Sequence, residues 1–263
     1  MNDDGSFGAR RAESEMMGGA MLRTGLDGRV CLVTGAARGI GRACADLLAA
    51  EGAQLVLCDL DAAGLDEGPE GLRIAADVSE RRDVESLFEA VRREVGRLDV
   101  VIHCAGIYRV TALPDVTDEE WQQVVNVNLR SGYLLAQGAV AMMREHQSGS
   151  IVLVGSYAAR TGGLRAGVHY AASKAGVEGI TRNVAQYAGP LGIRVNCLHP
   201  GFTETDMTSI LNADAHDEAR TRAPLRRTST PAEQAAMAVV LASDIASFVH
   251  GVTLDVNGGM FMA

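Results

Sequence analysis

The stretch that most constrains the fold is VCLVTGAARGIGRACADLLAAEG, residues 30–52. An apolar run leads into a glycine-rich turn, and the turn opens a helical pattern that closes on another glycine. A short unbroken apolar run suits a strand buried on both faces, as in a parallel sheet. Gly35, Gly39 and Gly41 let the backbone turn sharply and approach a ligand closely. The helix after them carries Ile40, Ala43, Cys44, Leu47 and Leu48 on one side. Its N-terminus offers free N–H groups and the positive end of the helix dipole, which suits an anion. The turn, with Arg38 and Ile40 in it, therefore predicts a pyrophosphate cradle. Its spacing is G-x3-G-x-G rather than G-x-G-x-x-G, with the same mechanics.

The same alternation runs to the end of the chain. Strands are expected at 29–34, 54–59, 72–76, 98–104, 151–154, 194–199 and 252–256. Helices are expected at 39–51, at 79–95 with Ser79 as cap, at 117–146 with Thr117 as cap, at 168–187 and at 231–243. Between 61 and 71, Gly64, Gly68 and Pro69 leave room only for a short helix. Strands separated by helices imply right-handed βαβ units, hence an α/β, Rossmann-type, doubly wound sheet of seven parallel strands flanked by helices. Neither a linker nor a repeat interrupts 26–263, which is read as one domain. Residues 1–25 are polar, lack the apolar centre of a secretory signal, and are expected to be a mobile extension.

Composition narrows the function. The 263 residues hold 30 glycines, above the roughly 7 % average, but without the period of a collagen-like chain. With 33 acidic against 24 basic side chains and a net charge of −9, nucleic acid and anionic membranes are poor partners. No apolar run approaches the roughly 20 residues of a membrane span. The cysteines (Cys31, Cys44, Cys58, Cys104, Cys197) form no C-x-x-C pair, which argues against a disulfide framework or zinc site. A reduced, cytoplasmic chain with no metal is expected.

The second strand ends at Asp59, followed by Leu60. A carboxylate there can accept hydrogen bonds from both hydroxyls of an adenosine ribose and would repel a 2′-phosphate. It favours NAD over NADP, although Arg38 argues mildly the other way. Asp77 and Val78, after the third strand, are placed to hold the adenine edge, or else to approach the next helix as a cap.

The fifth strand runs into Gly155 and Ser156, and Tyr170-Ala-Ala-Ser-Lys174 opens the next helix. Residues four apart share a helix face, so the Lys174 ammonium can stand near the Tyr170 phenol and lower its pKa, against the effect of burial. Tyr170 is then a general acid/base for a substrate oxygen, and Ser156 a hydrogen-bond donor to the same oxygen.

TGAARGIG, YAASK, the glycine-serine after strand five, and LHPGFTETDM after strand six together resemble the short-chain dehydrogenase/reductase family, over residues 26–262. The resemblance implies a nicotinamide-dependent oxidoreductase with a tetrad of Asn128, Ser156, Tyr170 and Lys174, in which Asn128 holds a water linking Lys174 to solvent. It also implies that Cys104, Ala105 and Gly106 lie beside the cofactor. Pro200, Gly201 and one of Thr203 or Thr205 would grip the nicotinamide carboxamide. Family members usually form homotetramers through the helices carrying Asn128 and Tyr170 and through the last strand; a dimer is the smaller alternative.

PGFTETDM and GVTLDVNGGMFM are especially similar to 3-oxoacyl carrier-protein reductases, but three features depart from them. The Asn-Asn-Ala-Gly after strand four reads His103-Cys104-Ala105-Gly106. Ser156 and Tyr170 are one residue further apart. Gln147 and Leu191 stand where arginines tend to occur. Those reductases are also generally NADP-linked, which Asp59 opposes. The favoured reading is NAD-dependent interconversion of a secondary alcohol and a ketone on a small free substrate. An NADP-linked 3-oxoacyl thioester reductase is the alternative, and a catalytically idle NAD-binding regulator or scaffold is the reading from another class. Residues 203–227 are expected to be a mobile lid. Tyr108, Tyr157, Arg160, Leu164, His199 and Met207 are candidates for the pocket mouth, each equally readable as packing, and His169 is read as structural.

Overall fold

The computed structural model describes residues 23–163 and 165–262. Most of the expected N-terminal extension, residues 1–22, lies outside the described residues, as do Leu164 and Ala263.

Seven strands form one parallel sheet: β1 (Val30–Thr34), β2 (Gln54–Asp59), β3 (Leu72–Ala75), β4 (Val100–His103), β5 (Gly149–Val154), β6 (Ile193–Pro200) and β7 (Thr253–Val256). Their order is β3-β2-β1-β4-β5-β6-β7. The register pairs Thr34 with Cys58 on one side of β1 and with His103 on the other. The chain leaves β1 towards one edge and β4 towards the other, which opens a crevice at their carboxyl ends.

Side chains alternate between two cores. Val30 and Leu32 of β1, Val101 of β4, and Ile151 and Leu153 of β5 share one core. Cys31, Val33, Val100, Ile102 and Val152 face the other. This two-sided burial explains why the strands read as continuous apolar runs.

Helices cover both faces. In chain order they are α1 (Gly39–Ala50), the short α2 (Ala62–Asp66), α3 (Arg81–Glu94), α4 (Asp118–Val125), α5 (Ser131–Met143), α6 (Ala158–Thr161), α7 (Val168–Ala188), α8 (Asp206–Ser209), α9 (Ala213–Arg222) and α10 (Pro231–Ala242). Helix α3 buries Val84, Leu87, Phe88 and Val91, the spacing of one helical face. Its cap is Glu80 rather than Ser79, because the Ser79 hydroxyl and N–H both donate to Asp77 Oδ1, at 2.7 and 2.9 Å. Helix α10 starts at Thr230 with a reciprocal capping box to Glu233 and Pro231 in its first turn.

The single helix expected over 117–146 is instead two helices joined by a π-turn at Asn126–Arg130. Thr117 does cap its start, accepting from Glu120 N–H. Residues 203–227, expected as a mobile lid, contain α8 and α9, and a bridge between Thr203 and Ser229, just past their end, closes the segment. Among the described residues, no helix is long and apolar enough to cross a membrane.

Candidate active site

The glycine turn lies at the crevice, and its geometry fits a phosphate group. Gly35 and Gly39 have φ of 70° and 57°, a region costly for residues with a β-carbon. A β-carbon on Gly35 would stand 2.8 Å from Ala105 N, and one on Gly41 would collide with the Gly35 carbonyl. The first turn of α1 contains no acidic residue, and its cap residue, Arg38, makes no side-chain capping bond. The leading N–H groups are therefore left for an anion. Arg38 itself is exposed, and Ile40 packs beside the β1 core.

Asp59 ends β2 with both carboxylate oxygens directed by the backbone. Oδ2 accepts from Ala37 N–H and Oδ1 from Asp61 N–H, each at 3.0 Å. A carboxylate oxygen has two lone pairs, so each keeps one for a further donor. Leu60 beside it is exposed. Asp77 is engaged by Ser79, which supports its reading as a helix-approach residue, while Val78 is buried.

Ser156, Tyr170, Lys174 and Asn128 converge below the crevice, all at most 8 % exposed. Ser156 follows β5, and its Oγ accepts from Ala158 N–H at 3.1 Å. Lys174 donates to the Val154 carbonyl at 2.9 Å, and its Nζ lies 6.0 Å from the Tyr170 ring centre. Asn128, inside the π-turn, accepts from Ile107 N–H at 2.8 Å and donates to Ile107 C=O at 2.9 Å. Gly106 lies between them: a β-carbon on it would sit 3.2 Å from Asn128 Oδ1 and 3.3 Å from Lys174 Nζ. Cys104 and Ala105 are half-buried on the approach to it.

The electrostatics set burial against ionisation of the phenol. Burial pushes the Tyr170 phenol up to about 12, only partly offset by the Ser156 hydroxyl. Lys174 is not among the groups that offset this, and burial brings Lys174 itself down to about 8. Tyr170 is thus an acid in the free protein, and charge brought into the crevice must do the rest.

Pro200 and Gly201 turn the chain out of β6. A β-carbon on Gly201 would stand 2.6 Å from Asn257 Cα. Thr203 donates to Gly201 C=O at 3.1 Å and bonds Ser229 at 2.9 Å. Thr205 caps α8, and its methyl lies 3.4 Å from where a Gly39 β-carbon would be. That contact sets the start of the lid against the phosphate turn. Above Tyr170 is a cleft whose lining includes Tyr108, Tyr157, Ala166, Phe202, Met207 and Leu211. Tyr108 meets the Tyr170 ring edge-on at 4.8 Å. Arg160 and His199, expected near the mouth, are instead in a buried ionic cluster, and Leu164 lies outside the described residues.

Two supporting residues, Ser173 and His103, escaped the sequence reading, and a third, His169, is read there as structural. Ser173 receives the second Asn128 amide hydrogen at 3.3 Å and donates to Tyr170 C=O; its place just before Lys174 in YAASK was the available signal. His103 joins Thr34, at 2.6 Å, to Ser131, at 2.8 Å. Ser131 gives its own hydrogen to Val127 C=O, so the His103 proton resides on Nε2. His169 is buried; its Nδ1 accepts from Tyr170 N–H and its Nε2 bonds Glu120 at 2.6 Å, tying α7 to α4.

A Rossmann-order sheet with a serine, tyrosine and lysine below its switch point defines a dinucleotide-dependent oxidoreductase. The enoyl-(acyl carrier protein) reductase family model matches residues 35–261. A 3-oxoacyl-[acyl-carrier-protein] reductase of Vibrio harveyi is 38 % identical over 242 residues, 90 % of this chain and 99 % of that one. That of Thermotoga maritima is 40 % identical over 243 residues, 89 % of this chain and 98 % of that one. A solved short-chain dehydrogenase/reductase from Brucella melitensis, described as a glucose/ribitol dehydrogenase, superposes with a TM-score of 0.85 at 36 % identity, covering 92 % of this chain and all of that one. The chain belongs to the short-chain dehydrogenase/reductase family, whose members are oxidoreductases that use a nicotinamide cofactor and act on small molecules.

Proposed function

We propose that this enzyme interconverts a free secondary alcohol and its ketone, with NAD as the redox partner. The observation that carries the reading is that Ser156 and Tyr170 line a largely apolar cleft, with Lys174 buried behind them, 6.0 Å from the Tyr170 ring centre. When bound, the nicotinamide supplies or accepts the hydride at the substrate carbon. Tyr170 donates its phenolic proton to the ketone oxygen, or takes the alcohol proton in the reverse direction. Ser156 donates to the same oxygen and stabilises charge that develops on it. Bringing Tyr170 from about 12 to neutrality requires about 7 kcal/mol at 1.36 per unit. Positive charge on Lys174 and in the oxidised cofactor ring acts in that direction. Asn128 holds the water that links Lys174 to solvent. Gly35, Arg38, Gly39, Ile40 and Gly41 receive the pyrophosphate, and Pro200, Gly201 and Thr203 or Thr205 receive the nicotinamide end.

NAD is favoured because the Asp59 carboxylate is fixed by two backbone donors, and a 2′-phosphate beside it would set like charges together. The names of the relatives support a second reading, an NADP-linked 3-oxoacyl thioester reductase. Initial rates with both nucleotides, across free secondary alcohols, ketones and 3-oxoacyl thioesters, separate the two. The proposal expects kcat/KM at least tenfold higher with NAD and a free substrate. A tenfold preference for NADP and a thioester overturns it, and tight NAD binding with no turnover points to an idle binder.

The same reading takes residues 26–263 as one catalytic domain in a cytoplasmic homotetramer. Support for assembly comes from α7, where Ala172, Ala175 and Gly179 are exposed and small side chains permit close helix approach. Gly176 is not part of that face, since it packs on Leu129 of its own chain.

A further inference from the structure

His199 lies on β6 behind the catalytic groups, and the chemistry above makes no use of it. Its ring is fully buried, and neither ring nitrogen has a hydrogen-bond partner among the described residues. Two carboxylates face it: Glu178 Oε1 lies 3.8 Å from Nε2 and Asp255 Oδ1 lies 3.7 Å from Nδ1. Arg160 spans the same pair, 3.1 Å from Glu178 and 3.3 Å from Asp255. Glu178 follows Lys174 by four residues, as Lys174 follows Tyr170, so the three share one face of α7. The cluster thereby joins α6, α7, β6 and β7 directly under the site.

On its other side the ring meets Gly155. A β-carbon on Gly155 would collide with His199 Cδ2 and Nε2. The backbone makes the same connection. Gly155 N–H donates to Leu198 C=O at 2.8 Å, and Tyr157 N–H donates to Pro200 C=O at 2.9 Å. Ser156 is therefore strapped to the residues immediately before and after His199, with the imidazole filling the floor beneath it.

We propose that His199 is a positioning residue: its ring, held between Glu178 and Asp255, sets the height of Gly155 and Ser156 and so aims Ser156 Oγ at the Tyr170 hydroxyl. This rests on the reading of Ser156 as the hydroxyl partner of Tyr170. Burial, with the Arg160 and Lys174 cations, pushes His199 down to about 3, towards the neutral form, and with neither nitrogen hydrogen-bonded among the described residues the ring acts through its shape.

The test needs neither substrate nor nucleotide. The full chain is labelled with tyrosine carrying 13C at Cζ, whose NMR shift follows hydrogen bonding of the phenol. The Tyr170 signal is assigned by its loss in Tyr170→Phe. Ser156→Ala calibrates the shift produced by losing the serine hydroxyl. His199→Leu is expected to move the Tyr170 signal in the same direction by at least half as much, with the exposed Tyr187 unmoved. His199→Gln, which keeps more of the polar bulk between the two carboxylates, should move it less. In the double variant Ser156→Ala/His199→Leu, the shift should not exceed that of Ser156→Ala alone. A Tyr170 signal that stays in place in His199→Leu, or shifts that add in the double variant, overturns the proposal. Should His199→Leu fail to fold, Asp255→Ala removes one wall of the ring and is read by the same criteria. If Ser156→Ala itself leaves Tyr170 unmoved, the Ser156 reading has failed and the proposal falls with it, an outcome distinct from failure of His199 alone.

Discussion

Tyr170 and His103 are both buried beside the crevice, and burial moves each towards its neutral form. For Tyr170 this keeps the phenol protonated, and on the proposed mechanism its acid/base power would depend on cofactor charge entering the crevice. Replacing it by phenylalanine removes the proton carrier and leaves the ring packing against Tyr108. The expected loss in kcat/KM is about 10²–10⁴-fold, with the dissociation constant for the nucleotide within about threefold of wild type, read by steady-state kinetics and calorimetry. For His103 the consequence is stability. Burial, with the Lys174 cation, pushes its folded pKa down to about 3 from the ordinary 6.5, so between those pH values the unfolded chain holds a proton that the folded one lacks. Acid therefore favours unfolding, with a slope of up to about 1.4 kcal/mol per pH unit from this group. His103→Asn keeps polar atoms near Thr34 and Ser131 without a titrating ring. Its unfolding free energy should fall less steeply below pH 6.5 in urea titrations; an unchanged slope would assign the acid sensitivity elsewhere.

Among the elements, β1 and α1 were the most legible because their apolar run, glycines and helical face obey separate local rules that agree. The strand expectations at 29–34 and 194–199 lie within about a residue of β1 and β6. The π-turn was not legible. VVNVNLRSGYLLAQG is apolar on nearly every side, so an inserted residue produces no visible slip in its pattern. The structural reason for it is local: the turn aims Asn128 at Ile107, and such bulges recur at functional sites. Spacing on a helix gives Tyr170 and Lys174 a shared face, but Ser156 was legible only from its place after the fifth strand, in order with the glycine turn and that pair. The His199 cluster could not, because residues 160, 178, 199 and 255 meet only through sheet order. At this scale the glycine turn makes the clearest prediction. Gly41→Ala should gain up to about 1 kcal/mol of helix propensity, yet its β-carbon collides with the Gly35 carbonyl. The collision should win: nucleotide binding weakens at least tenfold by calorimetry, and Tm falls. An alanine variant that binds as wild type would mean the turn adjusts freely.

For the whole molecule, the exposed stripe of α7 bears on assembly. Ala175 is exposed on the helix that carries the catalytic tyrosine. Ala175→Arg inserts a long cation where close helix approach is expected. Sedimentation equilibrium should show the proposed tetramer in the unaltered chain and dimers or the 27.7 kDa chain in the variant. A variant that remains tetrameric removes this face from the interface.

The two ends of the lid are already joined. Ser229 N–H donates to Phe202 C=O and Glu204 N–H to Ser229 C=O, each at 2.9 Å. The excursion between them starts and finishes at one place on the scaffold, so its length is nearly free: doubling a closed loop costs only about 0.6 kcal/mol. The segment is in effect a replaceable cassette. A lineage built on this sheet can exchange α8 and α9 for a longer or differently shaped cover and acquire a new substrate, while the hydrogen-bonded root keeps the catalytic groups in place.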